Sequence, residues 1–249
     1  MIVLKKVGKL INYVISLWGG ERRASNGFSD INEYVERHIK FLSSKPSHIT
    51  GFTFVVSRSD NSDEQNVINK INDFIESSSL NGLIIERDNN YGSYGSWNRG
   101  IMDTYKDYDY SFVIEDDYIP TRNDFVDFFL EKDNNDIGFV ASLYGRNHAR
   151  ISNGLLSHRS ISNVLESNDD IFLLCSDTED EYGISRCPTE VGFGHSQKEF
   201  LKLVERCGYS FTDITDIAST KFVDDKRNII VYNDINLPII IEPITGDNL

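Results

Sequence analysis

The stretch Tyr110–Pro120, YSFVIEDDYIP, runs three apolar residues, Phe112, Val113 and Ile114, straight into three acids, Glu115, Asp116 and Asp117. A short apolar run bounded by a turn signal reads as a buried strand. Carboxylates stacked at its end repel one another: two charges ~4 Å apart cost on the order of 4 kcal/mol at an effective dielectric of about 20. A solvated acidic turn, capping a helix at Thr121, would avoid most of that cost. The apolar run entering the acids implies partial shelter instead, and sheltered acids call for a compensating positive charge. Glu115 and Asp117 are alternate residues, so on an extended backbone their side chains leave on the same side. Two hard oxygen donors so placed suit Mg²⁺ or Mn²⁺, which keeps waters and takes on substrate phosphates.

Outward from this stretch the chain alternates between two periods. INYVISLW (Ile11–Trp18) reads as a buried strand, and SDINEYVERHIKFL places Tyr34, Val35, His38, Ile39 and Leu42 on one helical stripe. GFTFVVS (Gly51–Ser57) is a second strand, followed by a helix with Val67, Ile68, Ile71, Phe74 and Ile75 on one face. GLIIE (Gly82–Glu86) is a third strand, and a helix from about Ser96 to Lys106 leads into YSFVI. Thr121 and Asp124 form a T-x-x-D capping box ahead of Phe125, Phe128 and Phe129, and DIGFVASLY is a fifth strand. Such alternation predicts an α/β fold with a mostly parallel central sheet flanked by helices. Ligands of such sheets bind beyond the carboxyl ends of the strands. Those ends carry SRSDNSD, RDNNYGSYGSWNRG and EDDYIP.

The second half is less regular. Periodicity is weak from Gly145 to about Asp180. A helix is predicted from Ser196, whose S-x-x-E box with Glu199 precedes Phe200, Leu203, Val204 and Cys207, with Gly208 as its C-cap. The tail NIIVYNDINLPIIIEPI suggests edge strands or an extended wrap, because its prolines cannot donate to a ladder.

With 249 residues, 39% hydrophobic and 26% charged, the chain can bury a sizeable core. A formal net charge of -14 argues against a nucleic-acid partner and makes an unassisted phosphate site unfavourable. Three cysteines, Cys175, Cys187 and Cys207, form no C-x-x-C pair, which fits free thiols in a reducing compartment. No apolar run reaches the ~20 residues of a membrane span. A cytoplasmic location is the expectation, with peripheral membrane contact left open.

In NNYGSYGSWNRGI, Gly92, Gly95 and Gly100 permit a tight loop and close backbone approach to a ligand, and Asn98 shares an inward stripe with Ile101, Met102 and Tyr105. On its own, this stretch reads as a glycine-rich turn with a structural asparagine. Tyr91, Tyr94 and Trp97 either stack on a base or sugar, or pack. Together with YDYSFVIEDDYIPTRNDF further on, it resembles the A-type (GT-A) glycosyltransferase fold, especially the family-two-like group. The resemblance covers roughly Ile11 to Leu130 and depends on the motifs occurring in order.

The resemblance implies a single GT-A-type domain over residues 1–249. About 11–130 would bind the nucleotide sugar and about 131–249 the acceptor. It implies that Glu115 and Asp117 hold the metal and that Asp116 joins them at the donor diphosphate. Asp60 and Asp63 would contact base or ribose, Ser16 and Trp18 would line the base pocket, and Asn90, Gly92 and Asn98 would belong to the donor pocket. Glu115 stands where the family usually has aspartate, and SLWGGERR departs from its usual first-strand ending. The implied activity is a metal-dependent, inverting transfer from a UDP-, GDP- or dTDP-linked sugar to a hydroxyl of a glycan or lipid-linked acceptor. That needs a general base, for which Glu190, ahead of glycines and a helix start, ranks before Asp180 in the acidic run SDTEDEYG. His38 reads as a half-buried packing residue. His195 reads as a helix cap or a contact to acceptor or phosphate. Arg146, Arg150 and Arg159 read as surface cations. Two other functions stay open: a nucleotidyltransferase acting on sugar phosphates, for which WGGERR is a partial match, and a non-catalytic glycan- or partner-binding protein.

Overall fold

The computed structural model describes residues 9–18, 31–58, 63–88, 92–143, 153–167, 200–223, 229–232, 234 and 236–244. The first half alternates as read: β1 (Ile11–Trp18), α1 (Ile31–Ser43), β2 (Ile49–Ser57), α2 (Glu64–Ser77), β3 (Asn81–Arg87), α3 (Gly92–Thr104) and β4 (Tyr110–Glu115). There follow β5 (Tyr118–Pro120), α4 (Phe125–Lys132), β6 (Ile137–Ala141), β7 (Asn153–Ser157) and α5 (Ser162–Ser167). After a helical segment at residues 200–206 come β8 (Ser210–Asp213), β9 (Ser219–Val223), β10 (Ile229–Tyr232) and β11 (Ile239–Pro243).

Seven strands form the central sheet in the order β3-β2-β1-β4-β7-β6-β8. β1 pairs in parallel with β2 and β4, β2 with β3, and β6 with β8, whereas β7 runs antiparallel to both its neighbours. The expected mostly parallel α/β sheet flanked by helices is therefore what the chain forms. The central strands β1, β2 and β4 read as largely apolar runs because both of their faces are covered. Alternate residues of β1 show this. Ile11, Tyr13, Ile15 and Leu17 pack with Val35 and Leu42 of α1, Val67 and Ile71 of α2, and Phe125 and Phe129 of α4. Val14 points the other way, to Trp97 and Ile101 of α3, Leu165 of α5, and Phe200 and Val204. Asn12, also buried, is satisfied by Thr53 Oγ1 at 3.0 Å and Thr104 Oγ1 at 2.9 Å.

Four local expectations change. α3 begins at Gly92, before the predicted Ser96, because burial of Tyr94, Trp97 and Ile101 outweighs the low helix propensity of Gly92 and Gly95. Gly100, expected to let backbone approach a ligand, instead lets α3 approach the sheet: a Cβ there would lie 2.7 Å from Val14 Cγ1 and 3.0 Å from Val55 Cγ2. The Thr121–Asp124 capping box does not form. Thr121 Oγ1 donates to the Ile239 carbonyl at 2.6 Å, and Asp124, the N-cap residue, makes no capping bond and pairs with Arg122. The tail joins a second sheet, β10-β9-β11-β5, in which β10 is an edge but β11 is interior. Gly208 does cap the segment at 200–206. Its φ is +87°, its N–H donates to Glu205 O, and Tyr209 N–H donates back to Val204 O, a Schellman arrangement. The Ser196 and Glu199 box lies outside the described residues. Among the described residues no helix is long and apolar enough to cross a membrane.

At the amino end of β4, His158 is 6% exposed. Its Nδ1–H donates to Tyr108 O at 2.7 Å, and Nε2 accepts from Ser111 Oγ at 2.9 Å. Burial pushes this imidazole below its ordinary value. The unfolded chain takes up a proton near pH 6.5 and the folded one resists it. The stabilisation is thus complete above about pH 6.5 and lost progressively below it. Unfolding titrations of His158→Gln should show a shallower loss of stability on acidification than the parent. Gly100→Ala should lower stability by about 1–2 kcal/mol in urea melts, because crowding against Val14 and Val55 exceeds the roughly 1 kcal/mol gain in helix propensity.

Candidate active site

The chain winds outward from β1 to β2 to β3, then crosses back to place β4 on the other side of β1. The strand order thus reverses between β1 and β4, the place where open α/β sheets leave a crevice beyond their carboxyl ends. Ser16 stands opposite Glu115 in the ladder. Beyond Glu115 the backbone turns through Asp116 and Asp117 into β5. The three acids therefore do not lie on one extended segment, and strand periodicity does not set their directions.

Asp116 turns inward and is 2% exposed. Its N–H donates to Ser16 O at 3.2 Å, extending the ladder by one step, and its Oδ2 accepts the Trp18 N–H at 2.8 Å. Its carbonyl accepts from His38 Nε2 at 3.1 Å, which leaves Nδ1 to accept from Tyr13 Oη at 3.1 Å. Burial holds the Tyr13 phenol far above its ordinary pKa, so it keeps the proton it donates. His38, read as a half-buried packing residue, is fully buried and is a working member of this chain of bonds.

Glu115 and Asp117 stay partly exposed. Ser93 Oγ, in the first turn of α3, donates to Glu115 Oε1 at 2.8 Å, so the electropositive amino end of α3 adjoins this acid. Trp97 Nε1 donates to Ile114 O at 3.1 Å and pins α3 to the strand end. The Asp117 carbonyl accepts from Ile244 N–H at 2.7 Å, tying the turn to the residue after β11. Among the described residues no three His, Cys, Asp or Glu side chains gather as a ready-made metal cage. Two partly exposed carboxylates do not make a closed structural site. They fit a hard divalent ion that takes its other ligands from water and phosphate oxygen.

The remaining site residues divide clearly. Ser16 is buried and Trp18 half-buried at the end of β1, and Asn98 is buried in α3, whose first residue is Gly92. Asp63 is exposed at the N-cap of α2 without a capping bond. Asp60, Asn90, Asp180 and Glu190 lie outside the described residues, as do Tyr91, Arg146, Arg150 and His195. Tyr94 and Trp97 pack edge to face, centroids 5.2 Å apart, in the core. Arg159 is engaged with Asp133 and the Asn134 carbonyl.

One residue was given no role from sequence. Arg87 ends β3, and its Nη1 donates to Ser57 Oγ and Ser96 Oγ, each at 3.2 Å, while those two hydroxyls lie 3.0 Å apart. This sets a cation at the carboxyl edge beside α3. Its signal was an arginine directly between a strand and a glycine-rich segment in a strongly acidic chain.

No family model matches this chain, and no curated protein matches it in sequence. Solved structures similar to it include 4-diphosphocytidyl-2C-methyl-D-erythritol synthase from Anaerococcus prevotii, at 11% identity and TM-score 0.45, covering 77% of this chain and 96% of that one. The glycosyltransferase GlyE of Streptococcus pneumoniae is 15% identical at TM-score 0.45, covering 80% and 44%. A Drosophila β1,4-galactosyltransferase 7 mutant, in complex with manganese, UDP-Gal and xylobiose, is 12% identical at TM-score 0.40, covering 83% and 66%.

Asp116→Ala should cost about 2 kcal/mol of unfolding free energy, because the Trp18 N–H loses its buried acceptor. Glu115→Gln, which still accepts from Ser93, should stay within about 1 kcal/mol of the parent. Urea melts of the two variants check the contrast.

Proposed function

We propose that the chain is a divalent-metal-dependent glycosyltransferase, inverting at the sugar, that uses a nucleoside-diphosphate sugar. The supporting observation is the pair of partly exposed carboxylates, Glu115 and Asp117, on a turn braced by Asp116 at the reversal point of a mostly parallel sheet. In this reading Glu115 and Asp117 hold Mn²⁺ or Mg²⁺, which supplies Lewis acidity toward the departing diphosphate. Asp116 is a positioning residue, because its carboxylate faces the Trp18 amide. Arg87 and the amino end of α3 add positive potential at the same edge, where a net charge of -14 would otherwise repel the donor. Ser16 and Trp18 border the base pocket, Asp60 and Asp63 the base or ribose, and Asn90, Gly92 and Asn98 the rest of the donor pocket.

The acceptor, a glycan or lipid-linked hydroxyl, attacks the anomeric carbon as its proton passes to a carboxylate. Glu190 is assigned that role first and Asp180 second. The new glycosidic bond forms as the bond to the diphosphate oxygen breaks, which inverts the centre. A second reading, nucleotidyl transfer to a sugar phosphate, draws on the glycine-rich, basic WGGERR that follows β1.

Mn²⁺ with UDP or GDP should raise the Tm of the chain, and Asp117→Ala should abolish that shift. Nucleoside triphosphate with release of pyrophosphate would favour the second reading. Absence of any response to metal and nucleotide would overturn both.

A further inference from the structure

Two cations, Arg37 and Lys40, lie three residues apart on one side of α1, so they sit one above the other. Both line a cavity of about 280 Å³ between α1, β5 and β11, with apolar walls that include Phe41, Ile119 and Ile244. Glu242 also borders it, but its carboxylate is paired with Lys221 at 2.8 Å. Among the described residues neither Arg37 nor Lys40 is in an ion pair, and Arg37 Nη2 is shielded from water with no hydrogen-bond acceptor.

A buried guanidinium donor without an acceptor costs stability, and such orphans are rare in folded chains. Lys40 is exposed and Arg37 half-buried, so both charges are open to an anion from solvent on a chain of net charge -14. The guanidinium fork and a neighbouring ammonium together match a phosphate head group, which carries about -1.5 to -2 charges near pH 7, better than a singly charged carboxylate. The apolar walls then suit a compact ring or hydrocarbon body. At this volume the cavity admits a small molecule.

We propose that this cavity is a second binding site, separate from the acidic turn, for a small phosphate monoester with an apolar body. Its head group pairs with Arg37 and Lys40, supplying the missing acceptor as the guanidinium turns toward the cavity. Its body lies on Phe41, Ile119 and Ile244. The site adjoins the acidic turn: Ile244, whose side chain helps to wall the cavity, donates its N–H to the Asp117 carbonyl at 2.7 Å.

Calorimetric titration of the full chain with phenyl phosphate at low salt tests this, with inorganic phosphate and phenol as separate arms. Phenyl phosphate should bind at one site and more tightly than either arm. Arg37→Met should weaken it tenfold or more, Lys40→Met should weaken it as well, and Asp117→Ala should leave it unchanged. Arg37→Met should also raise the Tm by roughly 2–4 °C, since an orphaned donor is removed, which shows that lost binding is not lost folding. The proposal is overturned if phenyl phosphate gives no saturable heat, or if Arg37→Met binds as the parent does. With Mn²⁺ present in a repeat titration, loss in Asp117→Ala would place the ester at the acidic turn and refute a second site. Inorganic phosphate binding as tightly as the ester would refute the role of the apolar walls.

Discussion

The carboxylate of Asp116 is the point on which the carboxyl edge of the sheet depends. A buried acid must be given donors, and here the Trp18 amide serves as one. The same residue's carbonyl accepts a hydrogen bond from His38 Nε2–H, and His38 Nδ1 in turn accepts one from the Tyr13 hydroxyl. A single residue therefore joins the ends of β1 and β4 and reaches α1 through a fully buried imidazole. Removing it would loosen three elements at once. With the middle acid turned inward, the outer two are left at the surface, where a cation can reach them. The repulsion evident in three consecutive acids is thus relieved partly by geometry.

Both faces of the sheet contribute to that edge. α1 carries His38 to the turn from one face, and α3 brings Ser93 to Glu115 from the other. α3 can do so because it lies unusually close to the sheet at Gly100 and is pinned by the Trp97 indole to the Ile114 carbonyl. Charge is organised in the same local way. The chain as a whole repels anions, while Arg87 at the carboxyl edge and Arg37 with Lys40 beside β5 make confined positive places. The attraction such groups exert on an anion weakens as salt screens them.

Much of the fold was legible because β1, β2 and β4 are buried on both faces and so read as largely apolar runs, while α1 and α2 carry a single apolar stripe. The start of α3 was misplaced because two glycines mark a loop locally, and only packing against the sheet makes the helix worthwhile. Thr121 and Asp124 match a capping box by spacing alone, but β11, more than a hundred residues away, claims the threonine. β7 passed unrecognised: five residues, NGLLS, carry too little pattern, and their antiparallel place between β4 and β6 is a long-range pairing. His38 was visible on its stripe, whereas its partners, Tyr13 and the Asp116 carbonyl, are brought to it by the fold.

By itself the sequence determined the α/β alternation, the sheet edge that carries the candidate site and the three acids placed there, because strand burial and helix stripes are local, periodic properties of side chains. Tertiary structure alone decided that Asp116 faces inward while Glu115 and Asp117 do not, that Arg87 meets Ser57 and Ser96 at the carboxyl edge, and that Arg37 and Lys40 share a cavity with β5 and β11. Each of these depends on which distant donor, acceptor or wall the backbone brings within a few ångströms, and no pattern within a short window carries that information.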